Sequence, residues 1–312
     1  MLRAESPVFI VGAVRSGSTM LGLMLAAHPR ISNPGEFDFL IELVGNNGHM
    51  PSPARYHRWL STNRIFLQSR LQIDASLGYQ RLVASFVEQL WKSDKLLTMN
   101  MHHHFERIPY LFPDARYIHL LRDPRDVARS SIGMGWAGTV YRGVDIWAEA
   151  ERSWDRLAAT LPADRYLEVR YEDLLENVTA ELEKICRFLG LDYSSKMLSY
   201  PSHSTYAAPD AQLRYQWKGR CSPNELAWVD WKIGSMMQRR GYEQSEFGPR
   251  RPTLLERLTT AVRDKQYRIH FRIKRYGLGL YLENLLASNL HLGWWLDSCR
   301  RRINAIDAGF LK

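Results

Sequence analysis

The feature that most constrains this sequence is a strand, a glycine loop and a helix that follow one another near its start. Residues 7–14, PVFIVGAV, form a continuous apolar run rich in valine and isoleucine, which is typical of a strand buried on both faces. The loop Arg15-Ser16-Gly17-Ser18-Thr19 comes next, and residues 20–29 predict a helix that ends at a proline. Read from Gly12, the frame is that of a phosphate-binding loop, G-x-x-x-x-G-K-[ST], with Ser18 at the lysine position.

A loop of this kind binds oxyanions because its backbone N–H groups point inward and the positive end of a helix dipole lies behind them. The lysine that contacts the β- and γ-phosphates of triphosphates is missing, and no evident aspartate accompanies the loop to hold Mg²⁺. Hydrolysis of a nucleoside triphosphate is therefore disfavoured. Arg15 can supply, from a different position in the loop, the positive charge that the missing lysine would provide. Taken alone, the motif is also compatible with an ordinary strand–helix turn.

The remaining pattern alternates strands with helices, which predicts an α/β fold of three layers around a central parallel sheet. Residues 35–92 are expected to be mostly helical and irregular, and residues 105–112 to form a short helix or turn. Further strands are predicted at residues 95–100, 116–121 and 165–169, and further helices from Pro124 onward and at residues 144–160, 171–189 and 223–240.

A second candidate anion site follows the strand at 116–121, in the run Arg122-Asp123-Pro124-Arg125-Asp126. Asp123 is a plausible N-cap and Pro124 a plausible first residue of the helix. Ser130 lies eight positions after Arg122, about two helical turns along, so that both side chains can reach one phosphate. The alternative is a capped helix whose charges form ordinary surface pairs, such as Arg122 with Asp126.

Together the two loops resemble those of the sulfotransferase superfamily that uses 3'-phosphoadenosine-5'-phosphosulfate (PAPS), and more closely its tyrosylprotein and bacterial branches. The resemblance covers roughly residues 7–240 and rests on RSGST, on RDPRDVARS and on VRYEDL at residues 169–174. It implies a P-loop-like fold and an enzyme that transfers the sulfuryl group of PAPS to an acceptor hydroxyl. The product would be 3',5'-adenosine bisphosphate, and no metal would be required.

The resemblance also implies roles for individual residues. Arg15, Ser16, Gly17, Ser18 and Thr19 would bind the 5'-phosphosulfate, and Arg122 and Ser130 the 3'-phosphate. Tyr171 would lie near the nucleotide. A lid segment with a basic residue covers the donor in family members, and Lys218, within QWKGR at residues 216–220 and with Ser204 upstream, is the candidate here.

Sulfuryl transfer requires an acceptor oxygen in line, fixed positive charge near the leaving oxygen and a base for the hydroxyl proton. In tyrosylprotein-type sulfotransferases a G-E motif supplies the catalytic glutamate and the loop arginine helps to bind the sulfuryl group. Glu36, which lies 21 residues after Arg15 in Pro34-Gly35-Glu36, fits that role, and Arg15 fits the other. The alternative for Glu36 is an exposed loop acid.

The cluster His102-His103-His104 offers a second candidate base. Many sulfotransferases carry a K-x-P or K-x-H element here, and this chain has Asn100 or Met101 where that lysine is expected. A histidine can substitute, either as a donor to the leaving oxygen or as the base. If the backbone is extended, His102 and His104 share one face. A solvated or helix-capping cluster is the alternative, and a metal site is disfavoured because adjacent histidines rarely converge on one ion.

The distribution of charge predicts a boundary near residue 250. The chain carries a net charge of +9, and residues 251–312 hold 12 basic and 5 acidic side chains, a net +7. We therefore expect a sulfotransferase domain over residues 1–250 and a basic helical extension over residues 251–312, with helices at 254–275 and 278–290. The extension is compatible with helical packing, with a homodimer contact, and with contact to an anionic membrane surface or an acidic acceptor. No recognised module supports nucleic-acid binding.

The class of acceptor is left open by the sequence. Residues 133–138, rich in glycine, are compatible with an acceptor pocket or with core packing. Three cysteines far apart in the chain predict neither a zinc site nor a disulfide framework, which suits a reducing compartment. We therefore expect a cytoplasmic protein, and a peripheral position at the membrane is compatible with the basic extension. The competing functions are a P-loop kinase or NTPase and a catalytically silent nucleotide-binding protein.

Overall fold

The fold is built on a five-stranded parallel sheet. The computed structural model describes residues 7–92 and 94–310. The strands lie in the order β2-β3-β1-β4-β5, and each neighbouring pair is parallel. Their bounds are β1 (Val8–Val11), β2 (Ile31–Ser32), β3 (Leu96–Met101), β4 (Arg116–Leu121) and β5 (Tyr166–Arg170).

Helices cover both faces of this sheet and continue beyond it at the C-terminal end. They are α1 (Ser18–Ala26), α2 (Pro53–Leu60), α3 (Arg64–Ser69), α4 (Tyr79–Leu90), α5 (Pro124–Gly133), α6 (Val140–Ala158), α7 (Tyr171–Glu176), α8 (Val178–Leu189), α9 (Pro223–Arg239), α10 (Leu254–Tyr276), α11 (Leu278–Asn289) and α12 (Gly293–Ala308). Short 3₁₀ segments lie between them, including Phe105–Tyr110 and Ser195–His203.

The central strand β1 is fully buried because alternate side chains enter two different cores. Phe9 and Val11 pack into the core formed with α2, α3, α4, α5, α6 and α9. Val8 and Ile10 pack into the core formed with α1, α7 and α8. The continuous apolar run predicted a strand buried on both faces, and the structure confirms it. The three-layer α/β architecture with a parallel sheet is confirmed with it.

Most predicted helices are confirmed within a few residues, with two differences. The helix expected over residues 171–189 is divided into α7 and α8 because Asn177 adopts a non-helical backbone (φ −129°, ψ 55°) between them. The extension holds a third helix, α12, over a stretch in which the sequence showed only a tryptophan pair and an arginine run. The predicted ends at Gly190 and Gly241 are confirmed, and both glycines have positive φ.

The basic extension packs on the body through the glycine-rich segment 133–138. A Cβ on Gly135 would lie 2.2 Å from the Phe271 ring of α10, and one on Gly138 would lie 2.7 Å from the Asp264 backbone. The Gly138 N–H also donates to Asp264 Oδ1 at 2.7 Å. These glycines therefore allow the close approach of α10. A domain boundary at residue 250 stays a prediction.

Among the described residues, no helix is both long enough and apolar enough to cross a membrane.

Candidate active site

The glycine loop leaves the carboxyl end of β1 and turns sharply into α1. Gly12 lies against β4, where an added Cβ would come within 2.3 Å of the Leu120 carbonyl oxygen. Gly17 caps α1 with φ +96°. Arg15 has φ +70°, a left-handed conformation that is strained for a residue with a side chain and that often marks a functional loop.

Both predicted anion sites meet at Arg15. The Arg15 guanidinium donates through Nε to Ser130 Oγ at 2.9 Å. The Arg122 guanidinium donates through Nη1 to the Arg15 carbonyl oxygen, also at 2.9 Å. Ser130 lies 115 positions after Arg15 in the chain and Arg122 lies 107 positions after it, and the fold brings all three together. Two guanidinium groups and a hydroxyl therefore lie beside the N-terminus of α1.

Tyr171 joins the same cluster from the start of α7. Its ring lies against Gly17, where an added Cβ would approach within 2.4 Å, and the Arg122 guanidinium stacks over it at 4.3 Å from the centroid. Behind the loop, Ser16 Oγ and Arg122 Nε are buried. In the described part of the chain neither atom has a hydrogen-bond partner. Buried polar atoms are normally paired, so these two orphans fit a site that an anionic ligand completes.

His102 is fixed between an aspartate and the glycine loop. Its Nδ1 lies 3.0 Å from Asp38 Oδ2, and its backbone N–H donates to Asp38 Oδ1 at 2.7 Å. Its Nε2 lies 2.9 Å from Ser18 Oγ. The carboxylate can only accept, so Nδ1 carries the proton that faces it.

The charge of His102 follows from the same contacts. Burial of the ring by itself lowers the pKa, but the Asp38 carboxylate and the hydrogen bond to it outweigh burial, with a smaller contribution from Glu36. The pKa of His102 therefore lies above its usual value, and the pKa of Asp38 is lowered in return. The charged imidazolium form of His102 is therefore favoured, and its ring faces the phosphate loop through Ser18.

His103 and His104 do not continue this arrangement. His103 is hydrogen-bonded to Glu42, and that bond together with nearby Asp38 overcomes the effect of burial and raises the pKa of His103 to about 9. His104 adopts φ +56°, so the backbone is not extended and His102 and His104 do not share a face as expected. Burial and neighbouring Arg107 lower the pKa of His104.

Glu42, His103 and His104 also form a group whose possible metal-binding atoms lie within 4.8 Å of one another. That catalysis needs no metal stays a prediction.

Glu36 is held at the edge of the sheet next to β3. It forms a parallel bridge with Asn100, and the flanking bonds Asn100 N–H to Gly35 O and Phe37 N–H to Asn100 O measure 2.8 and 2.9 Å. The Asn100 side chain donates to the Ser18 carbonyl oxygen at 3.2 Å, and Met101 is buried in the core. Asn100 and Met101 therefore cannot supply the positive charge of the expected lysine. The side chain that lies beside Ser18 is the imidazole of His102.

One cavity of about 610 Å³ collects most of the predicted site. Nine of the residues singled out from the sequence line it, namely Arg15, Gly17, Ser18, Thr19, Glu36, His102, His103, Arg122 and Tyr171. Ser16 lies buried behind the loop, and Ser130 contributes through Arg15. His104 is not among the lining residues, whereas His103 is.

A model of the sulfotransferase family matches residues 7–195, which is more than half of the chain. The chain belongs to the sulfotransferase family. The omega-hydroxy-beta-dihydromenaquinone-9 sulfotransferase Stf3 of Mycobacterium bovis is 24% identical over 318 residues, covering 80% of this chain and 78% of the relative.

Two solved structures are similar to the fold of this sulfotransferase. The sulfotransferase domain of the Synechococcus PCC 7002 olefin synthase has a TM-score of 0.62 at 23% identity and covers 78% of this chain and 98% of its own. The sulfotransferase domain from the curacin biosynthetic pathway has a TM-score of 0.57 at 20% identity and covers 78% of this chain and 100% of its own.

Lys218, the candidate lid residue of the sulfotransferase, does not line the main cavity. Lys218 lines a second cavity, and its ammonium group lies 5.3 Å from the Tyr215 ring centroid. It is drawn there because neighbouring Trp217 stacks on the Arg125 guanidinium and donates its backbone N–H to Asp126. The segment that does reach the main cavity comprises residues 206–209. Ser204 supports it indirectly, since Ser204 Oγ accepts from the Tyr206 N–H at 3.2 Å.

Several residues of the sulfotransferase cavity were not singled out in the sequence. Asp38 lies two positions after Glu36, and only the fold shows that its carboxylate faces His102 rather than solvent. Glu42 and Tyr206 also line the cavity. An aspartate and a histidine 64 positions apart give no local signal of their pairing.

Proposed function

We propose that this sulfotransferase uses PAPS as donor and transfers its sulfuryl group to an acceptor hydroxyl, with Glu36 as general base. The observation that carries the proposal is the direct contact of Arg15 with Ser130 and of Arg122 with the phosphate loop. A donor with anionic groups at both its 5' and 3' positions suits a site in which two anion-binding elements are joined in this way.

The residues on the donor side have complementary roles in this proposal. The loop N–H groups and the helix dipole of α1 hold the phosphosulfate, and the orphaned Ser16 hydroxyl and Arg122 Nε gain partners. Tyr171 buttresses Gly17 and Arg122. PAPS supplies an activated sulfuryl group on a good leaving group, so the protein's task is positioning and charge stabilisation.

The transfer itself makes one bond and breaks one. The acceptor oxygen bonds to sulfur, the bond from sulfur to the phosphate oxygen breaks, and the hydroxyl proton passes to Glu36. His102 is the poorer candidate for that proton because its contact with Asp38 raises the pKa of the imidazole and so favours the form that is already protonated. The imidazolium instead stabilises the negative charge that develops on the leaving phosphate oxygen, and it does so through the hydroxyl of Ser18. Arg15 adds a second positive charge.

The acceptor is proposed to be an alcohol. The mycobacterial relative is named as a sulfotransferase of an omega-hydroxy menaquinone derivative, which is a hydroxyl-bearing acceptor. In this chain Met134 and Trp136 line the same cavity as Glu36, and Trp136 keeps 44% of its surface exposed. An apolar wall beside a carboxylate suits an acceptor with an apolar body and one hydroxyl.

Nucleotide preference tests the donor assignment. We expect 3',5'-adenosine bisphosphate at about 100 times its Kd to raise the Tm by about 5 °C, and ATP with Mg²⁺ to raise it much less. Arg122→Ala should weaken binding of the bisphosphate about 10- to 100-fold, because it removes a charge-assisted contact. Thermal-shift titration and calorimetry measure both effects.

Arg129→Ala is the matched control for that experiment. Arg129 lies on the same helix as Ser130, but its guanidinium donates to the Arg220 carbonyl oxygen, away from the loop. Its substitution should leave bisphosphate affinity nearly unchanged. Stabilisation by ATP with Mg²⁺ alone would instead favour the kinase or NTPase alternative, and bisphosphate binding without turnover of labelled PAPS would favour a silent binding protein.

The dependence of kcat on pH tests the charge of His102. Because the folded pKa of His102 is raised, the imidazolium is fully present below the ordinary histidine pKa and is lost as pH rises through the raised value. We expect kcat to fall on that alkaline side. Asp38→Asn removes the main group that raises the pKa, so the alkaline fall should move to lower pH.

Glu42→Gln provides the comparison for the pH profile. Glu42 lines the same cavity but is paired with His103, so its loss should leave the alkaline fall where it is in the wild type. An Asp38→Asn profile that coincides with the wild-type profile would show that the imidazolium of His102 does not take part in turnover.

A further inference from the structure

Helix α11 and the turn after it expose an unusually apolar surface. Its members are Leu278, Leu282, Leu285, Leu286, Leu290 and Trp294, which we term the leucine face. The first four recur at helical spacing on one side of α11 and are 42–56% exposed, and Trp294 is 74% exposed. The helix carries one charged side chain, Glu283, which pairs with Arg302 of α12. Contiguous exposed apolar surface of this kind marks an interaction site.

Exposed basic side chains come before and after the leucine face in the sequence. Arg272 and Lys274 lie near the end of α10, before it, and Arg301 lies in α12, after it. All three are exposed, and among the described residues none has an acidic partner within 4 Å. The extension as a whole carries a net +7. An apolar face with basic flanks is the pattern of a helix that lies at an anionic membrane surface.

We propose that the leucine face and its basic flanks dock this sulfotransferase on an anionic phospholipid bilayer. The apolar side chains enter the boundary between headgroups and acyl chains, and Arg272, Lys274 and Arg301 contact lipid phosphates. A second copy of the chain is a poorer occupant, because an isologous dimer would bring the basic flanks of two leucine faces together. A bilayer offers the opposite charge over the same area.

The docking surface is connected to the cavity through α12 and α10. Phe310 lies two residues after the end of α12. It lines a neighbouring pocket that shares Arg15 and Glu36 with the main cavity, and its ring lies under the Arg275 guanidinium. Phe271 of α10 packs on Gly135, between the two cavity residues Met134 and Trp136. Docking would therefore bring the cavity near the bilayer and give access to amphiphilic alcohols, a consequence that rests on the proposed function.

Vesicle sedimentation of the full chain tests the docking. We expect the wild type to sediment with phosphatidylcholine vesicles that contain about 30% phosphatidylglycerol and not with pure phosphatidylcholine, since charge attraction supplements apolar burial. About 0.5 M NaCl should release most of the bound protein by screening. The double variant Leu282→Glu and Leu286→Glu should lower the partition coefficient at least about tenfold.

Two further variants keep the test decisive. Lys274→Glu with Arg301→Glu changes exposed side chains only, and should lose binding to the anionic vesicles without loss of folding. Leu198→Glu, on an exposed leucine of the body, should bind as the wild type does. The inference is overturned if the wild type ignores anionic vesicles, if the leucine variant binds equally, or if the wild type is a dimer that the leucine variant dissociates.

The Tm shift with 3',5'-adenosine bisphosphate is recorded for every variant. Because the leucine face lies outside the donor site, that shift should persist in all of them. A missing shift in the wild type would count against the proposed donor and leave the sedimentation result to decide the docking.

Discussion

Replacing Glu36 with glutamine is expected to lower kcat by about 10²–10⁴-fold, the usual contribution of a well-placed general base. Glutamine keeps the size of the side chain and its backbone bridge to Asn100, so the cavity should keep its shape. The amide has no basic oxygen that can take the hydroxyl proton. Because Glu36 is proposed to act on the acceptor, affinity for 3',5'-adenosine bisphosphate should stay at the wild-type value.

Single-turnover measurement with labelled PAPS isolates this chemical step from product release. Glu42→Gln is again the control, since it removes a second carboxylate from the same cavity without removing the proposed base. Its effect on the rate should be far smaller. A Glu36→Gln enzyme that keeps kcat within about threefold of the wild type would remove Glu36 from the mechanism and return His102 or His103 to consideration.

The comparison of Glu36 with His102 shows how far the sequence could lead. Both were candidate bases on motif grounds, and they could not be separated because the protonation of His102 depends on a carboxylate 64 positions away. The structure supplies that partner, Asp38, and with it the reason why the cationic form of the imidazole is favoured. Local sequence patterns carry no information on a contact of this range.

The fold was more accessible because its signals are local. The apolar run of β1, the cap at Asp123 and the glycine ends at Gly190 and Gly241 each depend on neighbouring residues, and each is confirmed. The anion sites were accessible for the same reason, since each lies in one short segment. That they meet at Arg15 required the sheet order, in which β1 and β4 are neighbours.

Two segments are positioned by packing between distant parts of the chain. Lys218 was expected over the donor, and Trp217, which stacks on buried Arg125, fixes its segment beside a second cavity. Gly135, in the segment that was compatible with an acceptor pocket or with core packing, admits the Phe271 ring. Neither the cation–π contact nor the close approach of α10 produces a pattern that can be recognised in the sequence.

The contact between Arg125 and Trp217 leads to the largest expected effect on stability. Asp123 and Arg125 form an ion pair with side chains 0% and 2% exposed, in which Asp123 accepts from Arg125 Nε at 2.9 Å and from Nη2 at 2.7 Å. Asp123→Ala would leave the guanidinium buried beneath Trp217 without a counter-charge. It would also remove the cap of α5. We expect the free energy of unfolding to fall by about 3–5 kcal/mol.

Guanidinium chloride unfolding followed by tryptophan fluorescence measures that loss. Asp114→Ala is the matched control, since Asp114 pairs with Arg165 at 3.3 Å but is 76% exposed, and its loss should cost less than about 1 kcal/mol. The double variant Asp123→Leu with Arg125→Met should be less destabilised than Asp123→Ala, because it removes both charges and leaves none uncompensated. If the double variant is instead the less stable of the two, an uncompensated charge is not the main cost of Asp123→Ala, and the contact of Arg125 with Trp217 contributes more than the pairing of its charge.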